Sequence, residues 1–257
     1  MKIKPLFRGD NLSLQFGSDS EPTVAVKRCD IEIPEGEITI IYGPSGSGKS
    51  SLLNILSGLQ KPTSGTLFYR YDDVYERSLN ELAYFRAQEL GIVYQTNYWV
   101  KSLNVIENIS LPLYFLGFSR VEAHKKAQLA LEKVRMSAYA KRYPILLSGG
   151  EQQRIAMARA IVDDSPVIIA DEPTGNLDSN NGDAIIELLV DLNRNQGKTI
   201  ILVTHNMEYL PYAHHLLQIQ DGEVTNIARS DIPKTVQSLL DDVEKRISTI
   251  GRQGKTK

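Results

Sequence analysis

Residues 38–56 read ITIIYGPSGSGKSSLLNIL, and within them Gly43 to Ser50, GPSGSGKS, fits the spacing G-x-x-x-x-G-K-[ST]. The apolar run Ile38 to Tyr42 before it reads as a strand, and Leu52, Leu53, Ile55 and Leu56 after it supply an apolar helix. Strand, glycine loop and helix in that order make a cradle for a polyphosphate. Its backbone N–H groups turn inward, and the helix N-terminus adds a partial positive charge. Lys49 is then placed for the β- and γ-phosphates, and the Ser50 hydroxyl for Mg2+. The expected nucleotide-binding set is Gly43, Pro44, Ser45, Gly46, Ser47, Gly48, Lys49, Ser50 and Ser51.

Two more apolar runs, Val167 to Ala170 and Thr199 to Val203, have the unbroken apolar character of central strands covered on both faces. Such runs alternate with amphipathic stretches, which predicts an α/β chain with a largely parallel sheet. Ligands of open α/β sheets bind at the carboxyl ends of strands, so the three ends should converge. After the second run, VIIADEP supplies the acids that a metal-bound triphosphate needs. Asp171 is assigned towards Mg2+, mostly through water, and Glu172 as the base polarising the attacking water. After the third, TIILVTHN places His205 to hold the γ-phosphate and orient Glu172. His124, His214 and His215 have no such context and read as surface or packing residues.

The chain has 257 residues, 42% apolar and 23% charged, enough for one large domain or two small ones with a full core. A formal net charge of -2 makes no electrostatic case for nucleic acid. The single cysteine, Cys29, cannot form an internal disulfide, which suits a reducing compartment. The start, MKIKPLFRGDN, lacks the apolar core of a signal peptide, and nowhere do eighteen apolar residues run together. Pro5 to Glu37 reads as an antiparallel hairpin beside the main sheet, turning through Gly17 to Pro22. Val121 to Val134 reads as a long helix within a mainly helical insertion. Val236, Leu240, Val243, Ile247 and Ile250 mark a final amphipathic helix, with Asp241–Lys245 and Asp242–Arg246 pairs outside, followed by the basic GRQGKTK. That helix either packs on its own core or docks on a partner chain.

A second glycine stretch, LLSGGEQQR at Leu146 to Arg154, raises a separate question. Ser148 and Glu151 form an S-x-x-E capping pattern, and Ile155, Ala158 and Val162 supply a buried helix face. A cap alone does not explain Gly149 and Gly150, which weaken a first helical turn but let a phosphate approach the backbone. No lysine accompanies them. The stretch therefore suits a phosphate that arrives with its own lysine and metal.

Taken together, GPSGSGKS, Gln95 after GIVYQ, LSGGEQQR, ADEPTGNLD and His205 resemble the ATP-binding subunit of ABC transporters, from about residue 6 to residue 229. Within that family, ADEPTGNLD resembles the subgroup of lipoprotein-releasing, macrolide-exporting and FtsX-partner cell-division ATPases. The resemblance implies a P-loop NTPase (RecA-like) α/β core with an N-terminal antiparallel β subdomain and an inserted α-helical subdomain. Its boundaries here would be 1–95 and 162–229 for the core, 96–161 for the helical signature part, and 230–257 for the C-terminal helix and tail.

The resemblance also implies roles. Gln95 touches Mg2+ and links the site to a membrane partner, Asp178 communicates between two nucleotide sites, and Phe16 stacks on adenine where the family usually has tyrosine. An aromatic at Phe16 could equally be core. Leu147, Ser148, Gly149, Gly150, Glu151 and Gln152 would face the ATP held by another copy. The implied assembly is a head-to-tail homodimer, or a pair with a second ABC ATPase, hydrolysing ATP with Mg2+. It would lie in the cytoplasm on the inner face of the membrane and drive an integral membrane permease contacted near Gln95 to Leu103. Export, lipoprotein or lipid extraction and mechanotransmission all fit, as does regulation of a membrane-bound cell-wall partner without transport.

A soluble ABC ATPase acting on ribosomes or DNA fits less well. There is a single P-loop, and only about fifty residues separate Gln95 from the signature. The basic residues Arg120, Lys125, Lys126, Lys133 and Arg135 are interleaved with Glu122 and Glu132, so they read as a solvated helix face rather than a nucleic-acid patch. One departure from the subgroup stands out. Asn97 and Lys101 replace its usual aromatic and proline, with Tyr98 and Trp99 displaced by a residue, on the surface that receives the membrane subunit. These aromatics would be exposed anchors there, or Trp99 would pack within the helical insertion.

Overall fold

The computed structural model describes residues 5–17, 22–175 and 177–241. The chain opens with β1 (Pro5–Phe16) and β2 (Thr23–Pro34), an antiparallel pair whose apolar residues Leu12, Leu14, Cys29, Ile31 and Ile33 are buried while neighbours between them face out. That alternation is what a half-covered antiparallel sheet requires. Next come β3 (Ile38–Tyr42) and α1 (Lys49–Leu56). Then β4 (Ser64–Tyr69) and the short β5 (Asp72–Asp73) join the first sheet in the order β2-β1-β4-β5.

After α2 (Leu79–Glu89) and β6 (Leu90–Val93), a helical segment follows, with α3 (Val105–Phe115), α4 (Arg120–Lys133) and α5 (Gly149–Ala160). The chain then returns to the sheet through β7 (Val167–Asp171), α6 (Ser179–Gln196), β8 (Thr199–Thr204), β9 (His215–Gln220) and β10 (Glu223–Ile227). The second sheet runs β10-β9-β3-β8-β7-β6, parallel throughout except for the β9–β10 hairpin.

Every residue of β3, β7 and β8 is buried, and the two-residue period of a strand divides them between two cores. Ile40, Ile168, Ala170, Ile200 and Leu202 point into the core built with α3 to α6. Ile41, Val167, Ile169, Ile201 and Val203 point into the core shared with α1, α2 and the antiparallel sheet. A sheet sandwiched in this way has no polar face, which is why its strands carry unbroken apolar runs.

Helix starts are written locally. Ser78, Asn104, Ser119 and Ser148 each accept from the backbone N–H three residues on, and Glu81, Glu107, Glu122 and Glu151 each reach back to the cap. Asn108, fully buried in α3, donates to the carbonyls of Val100, Leu103 and Asn104 and accepts from the Val100 N–H. It thereby pins the loop ahead of its own helix.

Residues 232–241 are helical, and Ile232 and Val236 are buried in the core of α3 to α6, with Leu239 packed against it. This part of the C-terminal helix therefore packs on its own chain. Val243, Ile247 and Ile250, the partners Lys245 and Arg246, and the GRQGKTK tail lie outside the described residues. No helix among the described residues is long and apolar enough to cross a membrane.

Two features carry measurable consequences. A Cβ on Gly91 of β6 would lie 1.9 Å from the Ala160 carbonyl oxygen at the end of α5, so backbone would have to move. Gly91→Ala is expected to lose at least about 2 kcal/mol of stability, read from the urea midpoint. His214 Nδ1 accepts from the Ile38 N–H at 3.0 Å, and burial pushes its pKa below the ordinary 6.5. The folded chain then binds fewer protons than the unfolded one, so stability falls as pH drops below about 6.5. The melting temperature should decline from pH 7 to pH 5.5, and decline less in His214→Asn.

Candidate nucleotide site

The glycine loop between β3 and α1 is held from outside by backbone. Gly222, in the β9–β10 turn, donates to the Ser47 carbonyl at 3.0 Å and accepts from the Lys27 N–H at 2.7 Å. Gly48 stands at φ 107, and a Cβ there would come within 2.2 Å of the Ala25 carbonyl. Both its conformation and its contact with β2 require glycine. α1 begins directly after it with no side-chain cap and no acid in its first turn, leaving those N–H groups to an anion.

Lys49 is 5% exposed, and its Nζ donates to the carbonyls of Gly43 at 3.0 Å and Pro44 at 2.8 Å. Glu172 Oε1 lies 3.9 Å from the same ammonium, and Glu172 Oε2 lies 3.1 Å from His205 Nδ1. One carboxylate thus bridges a lysine from β3–α1 and a histidine after β8. The Glu172 backbone is left-handed at φ 46, and its N–H donates to the Val203 carbonyl at 2.9 Å.

Beneath it, Asp171 is buried and its Oδ1 has no hydrogen-bond partner. Burial raises the pKa of this carboxyl, the nearby Glu172 charge adds to the rise, and a hydrogen bond from Ser50 and the charge of Lys49 oppose it. Ser47 Oγ is also buried without a partner. Orphaned oxygens of this kind call for a ligand that brings donors or positive charge.

Among the described residues no group of three or more His, Cys, Asp or Glu side chains could hold a metal. The donors on hand are the Ser50 hydroxyl, the Asp171 carboxylate and the exposed Gln95 amide. So sparse a set fits a small, oxygen-seeking cation that keeps its waters and shares phosphate ligands, as Mg2+ does.

A cleft of about 580 Å³ unites this cluster, lined by Thr23, Val24, Ala25, Pro44, Ser45, Gly46, Gly48, Lys49, Ser50, Ser51, Gln95, Glu172 and His205. Phe16 is 46% exposed at the end of β1, so it is not a core residue. It pairs in register with Thr23, at the cleft wall. Ala25 and Gly222 meet the loop through backbone atoms, so their contribution carries no mark in the sequence.

The second glycine stretch lies elsewhere. Ser148 caps α5, and Glu151 Oε2 accepts from the Ser148 N–H at 2.8 Å and its hydroxyl at 3.0 Å. The Ser148 backbone bond first, then a hydrogen bond from Tyr139 and that from the Ser148 hydroxyl, hold the Glu151 carboxyl below the usual range. Gly149, Gln152 and Gln153 line a different cleft of about 530 Å³, together with Gln95 to Trp99 and Pro173. Among the described residues only Gln95 and Glu172 line both clefts. Asp178 caps α6 by accepting from the Asn181 N–H at 3.0 Å, and Asn181 Oδ1 accepts from Arg154 of α5 at 2.6 Å.

Trp99 is not an exposed anchor. It is half-buried, donates to Gln152 and lies under Arg159, whereas Tyr98 is 69% exposed. The tie to α5 spans 53 residues, beyond any spacing rule.

The ABC transporter family profile matches residues 26–175 of this chain. An uncharacterized ABC transporter ATP-binding protein of Methanocaldococcus jannaschii is 42% identical over 82% of this chain and 94% of that protein. The lipoprotein-releasing system ATP-binding protein of Buchnera aphidicola subsp. Schizaphis graminum is 38% identical over 84% of this chain and 94% of that protein. The chain also resembles the dimeric, post-hydrolysis structure of a Methanocaldococcus jannaschii ATP-binding cassette bound to ADP and Pi. The TM-score is 0.82 at 36% identity, over 87% of this chain and 98% of the cassette. The chain accordingly belongs to the ABC transporter family, as one of its ATP-hydrolysing cassettes.

Proposed function

We propose that two copies of this chain close head to tail over two ATP molecules and drive a membrane permease on the cytoplasmic face of the membrane. The observation that carries the reading is the separation of two phosphate-fitted helix ends, α1 and α5, of which only α1 carries a lysine in its own first turn, Lys49, with Asp171 and Glu172 against it. Each α5 end then meets the γ-phosphate of ATP bound to the other copy, with Asp178 between the two sites. The similarity to a dimeric cassette supports this arrangement.

ATP would lie along the glycine loop, its adenine against Phe16 and its phosphates on the N–H groups of Gly46 to Ser51. Arrival of the phosphates exchanges the Gly43 and Pro44 carbonyls at Lys49 for phosphate oxygens. Ser50, Asp171 and Gln95 would hold Mg2+, which neutralises phosphate charge when bound. Glu172 then accepts the proton of the attacking water, and His205, with Nδ1 3.1 Å from Glu172 Oε2, holds the carboxylate in place and faces the γ-phosphate. Positioning and charge complementarity supply most of the catalysis.

The membrane subunit would engage the Gln95 to Leu103 segment. Beside it runs a groove of about 550 Å³ lined by Tyr84, Ala87, Leu90, Tyr94, Phe115 and Arg159. Tyr84 and Phe115 are exposed there, which suits an amphipathic helix carrying apolar anchors. Similarity to a lipoprotein-releasing ATPase favours extraction or export of a membrane-embedded substrate.

Glu172→Gln should still bind ATP, hydrolyse it at least about 100-fold more slowly, and accumulate as an ATP-bound dimer in size-exclusion chromatography. Turnover near wild type would remove Glu172 from the role of base. Ser148→Arg should keep the ATP affinity of the single chain, measured with a fluorescent analogue, yet lose both hydrolysis and pairing. Retained turnover there would separate α5 from the reaction.

A further inference from the structure

The loop after Gln95 is clamped onto α5 by residues outside the nucleotide cleft. The Trp99 indole N–H donates to Gln152 Oε1 at 2.8 Å, and the same amide donates through Nε2 to the Leu147 carbonyl at 2.9 Å. Only one orientation of the amide satisfies both, because indole is solely a donor and a carbonyl solely an acceptor. Arg159, two turns further along the same face of α5, lies 4.6 Å from the Trp99 ring centre and donates to the Asn97 carbonyl at 2.7 Å. Between them Tyr98 adopts a left-handed φ of 47 and turns its exposed ring edge-on to Tyr94 at 5.5 Å. A strained, non-glycine residue persists only where its neighbours over-determine it. Here the neighbours are the bonds of Asn97 and Trp99 to α5.

The consequence is mechanical. Gln95 lines both clefts, whereas Leu147, whose carbonyl ends the chain of bonds, immediately precedes the Ser148 cap. Movement at Gln95 therefore reaches the first turn of α5 through Trp99 and Gln152 without passing through the sheet. We propose that Trp99 is a positioning residue that couples the Gln95 loop to the signature end of α5, so that nucleotide bound to one copy sets how that copy presents Ser148 to the other. This rests on the head-to-tail reading above.

Trp99 is the only tryptophan in the chain, so its emission reports this link alone. In the Ser148→Arg variant, which stays single on the proposed reading, ATP with Mg2+ should still shift Trp99 emission, and adding Gln152→Leu should abolish the shift. ATP binding with unchanged emission in Ser148→Arg would overturn the proposal. In the Glu172→Gln background, Trp99→Phe and Gln152→Leu should each raise the ATP needed for half-maximal pairing about fivefold, the worth of one neutral hydrogen bond.

The double variant should be no worse than either single one. Effects that multiply, or single changes under twofold, would show that the bond carries no coupling. Gln152→Leu leaves Trp99 in place, so the emission test stands even where Trp99→Phe does not fold. Failure of Glu172→Gln itself to pair at any ATP concentration would instead overturn the dimer reading, and the role of Trp99 with it.

Discussion

Asp171 lies opposite Val203 in the parallel β7–β8 ladder, and one residue later the Glu172 N–H still donates to the Val203 carbonyl at 2.9 Å. Holding that bond, Glu172 stands in the left-handed region at φ 46 as the chain leaves the strand. For a residue other than glycine this costs on the order of 1–3 kcal/mol. The conformation turns its carboxylate between Lys49 and His205. Because β3, β8 and β7 are neighbours in the sheet, the residues that follow them meet although more than 120 positions separate Lys49 from Glu172. A shift in the β7–β8 register would part the acids from Lys49 and His205 at once.

The same sheet sets where the second glycine stretch can be. Gly91 admits the Ala160 carbonyl against β6, which fastens the C-terminal end of α5 to the sheet edge. α5 has 12 residues and hence runs about 18 Å from that point, carrying Ser148 outward at its free end. The capping box satisfies the N–H groups of Ser148 and Glu151, and Tyr139 hydrogen-bonds the Glu151 carboxylate. The end of α5 also has sideways support: Gln152 from Trp99, and Arg154 from Asn181 behind the Asp178 cap. Its position thus answers to the Gln95 loop on one side and to the Asp178 turn on the other.

The parts of this architecture legible in the sequence are those set by local periodicity or by backbone demands. Unbroken apolar runs mark β3, β7 and β8 because both faces of each are covered, and the S-x-x-E pattern marks the start of α5 because the cap is complete within four residues. Asp171, Glu172 and His205 are legible at the ends of such runs, and Lys49 through the spacing of its glycine loop. The walls of the cleft were not, since Ala25 and Gly222 act through backbone carbonyls and N–H groups that any residue type carries. Trp99 marks the limit from the other direction. Its chemistry suits an exposed anchor or a packed link equally well, and only the position of α5, fixed by the whole fold, decides for the link.

A Cβ on Gly150 would meet nothing nearer than the Asn181 side chain at 3.4 Å, at the edge of ordinary contact, and Gly150 does not have a positive φ. Packing therefore tolerates alanine at this position, and backbone conformation does not demand glycine. Glycine in a helix nonetheless sacrifices roughly 1 kcal/mol relative to alanine. Gly48 presents the opposite case: its φ of 107 and the Ala25 carbonyl 2.2 Å from a would-be Cβ make glycine structurally obligatory. A glycine that the fold does not require, at a capped helix end with no lysine in its own first turn, is best explained by something that must approach the backbone from outside the chain. On the proposed reading that is the γ-phosphate of the ATP bound to the other copy, and the openness at Gly150 is the space left for it.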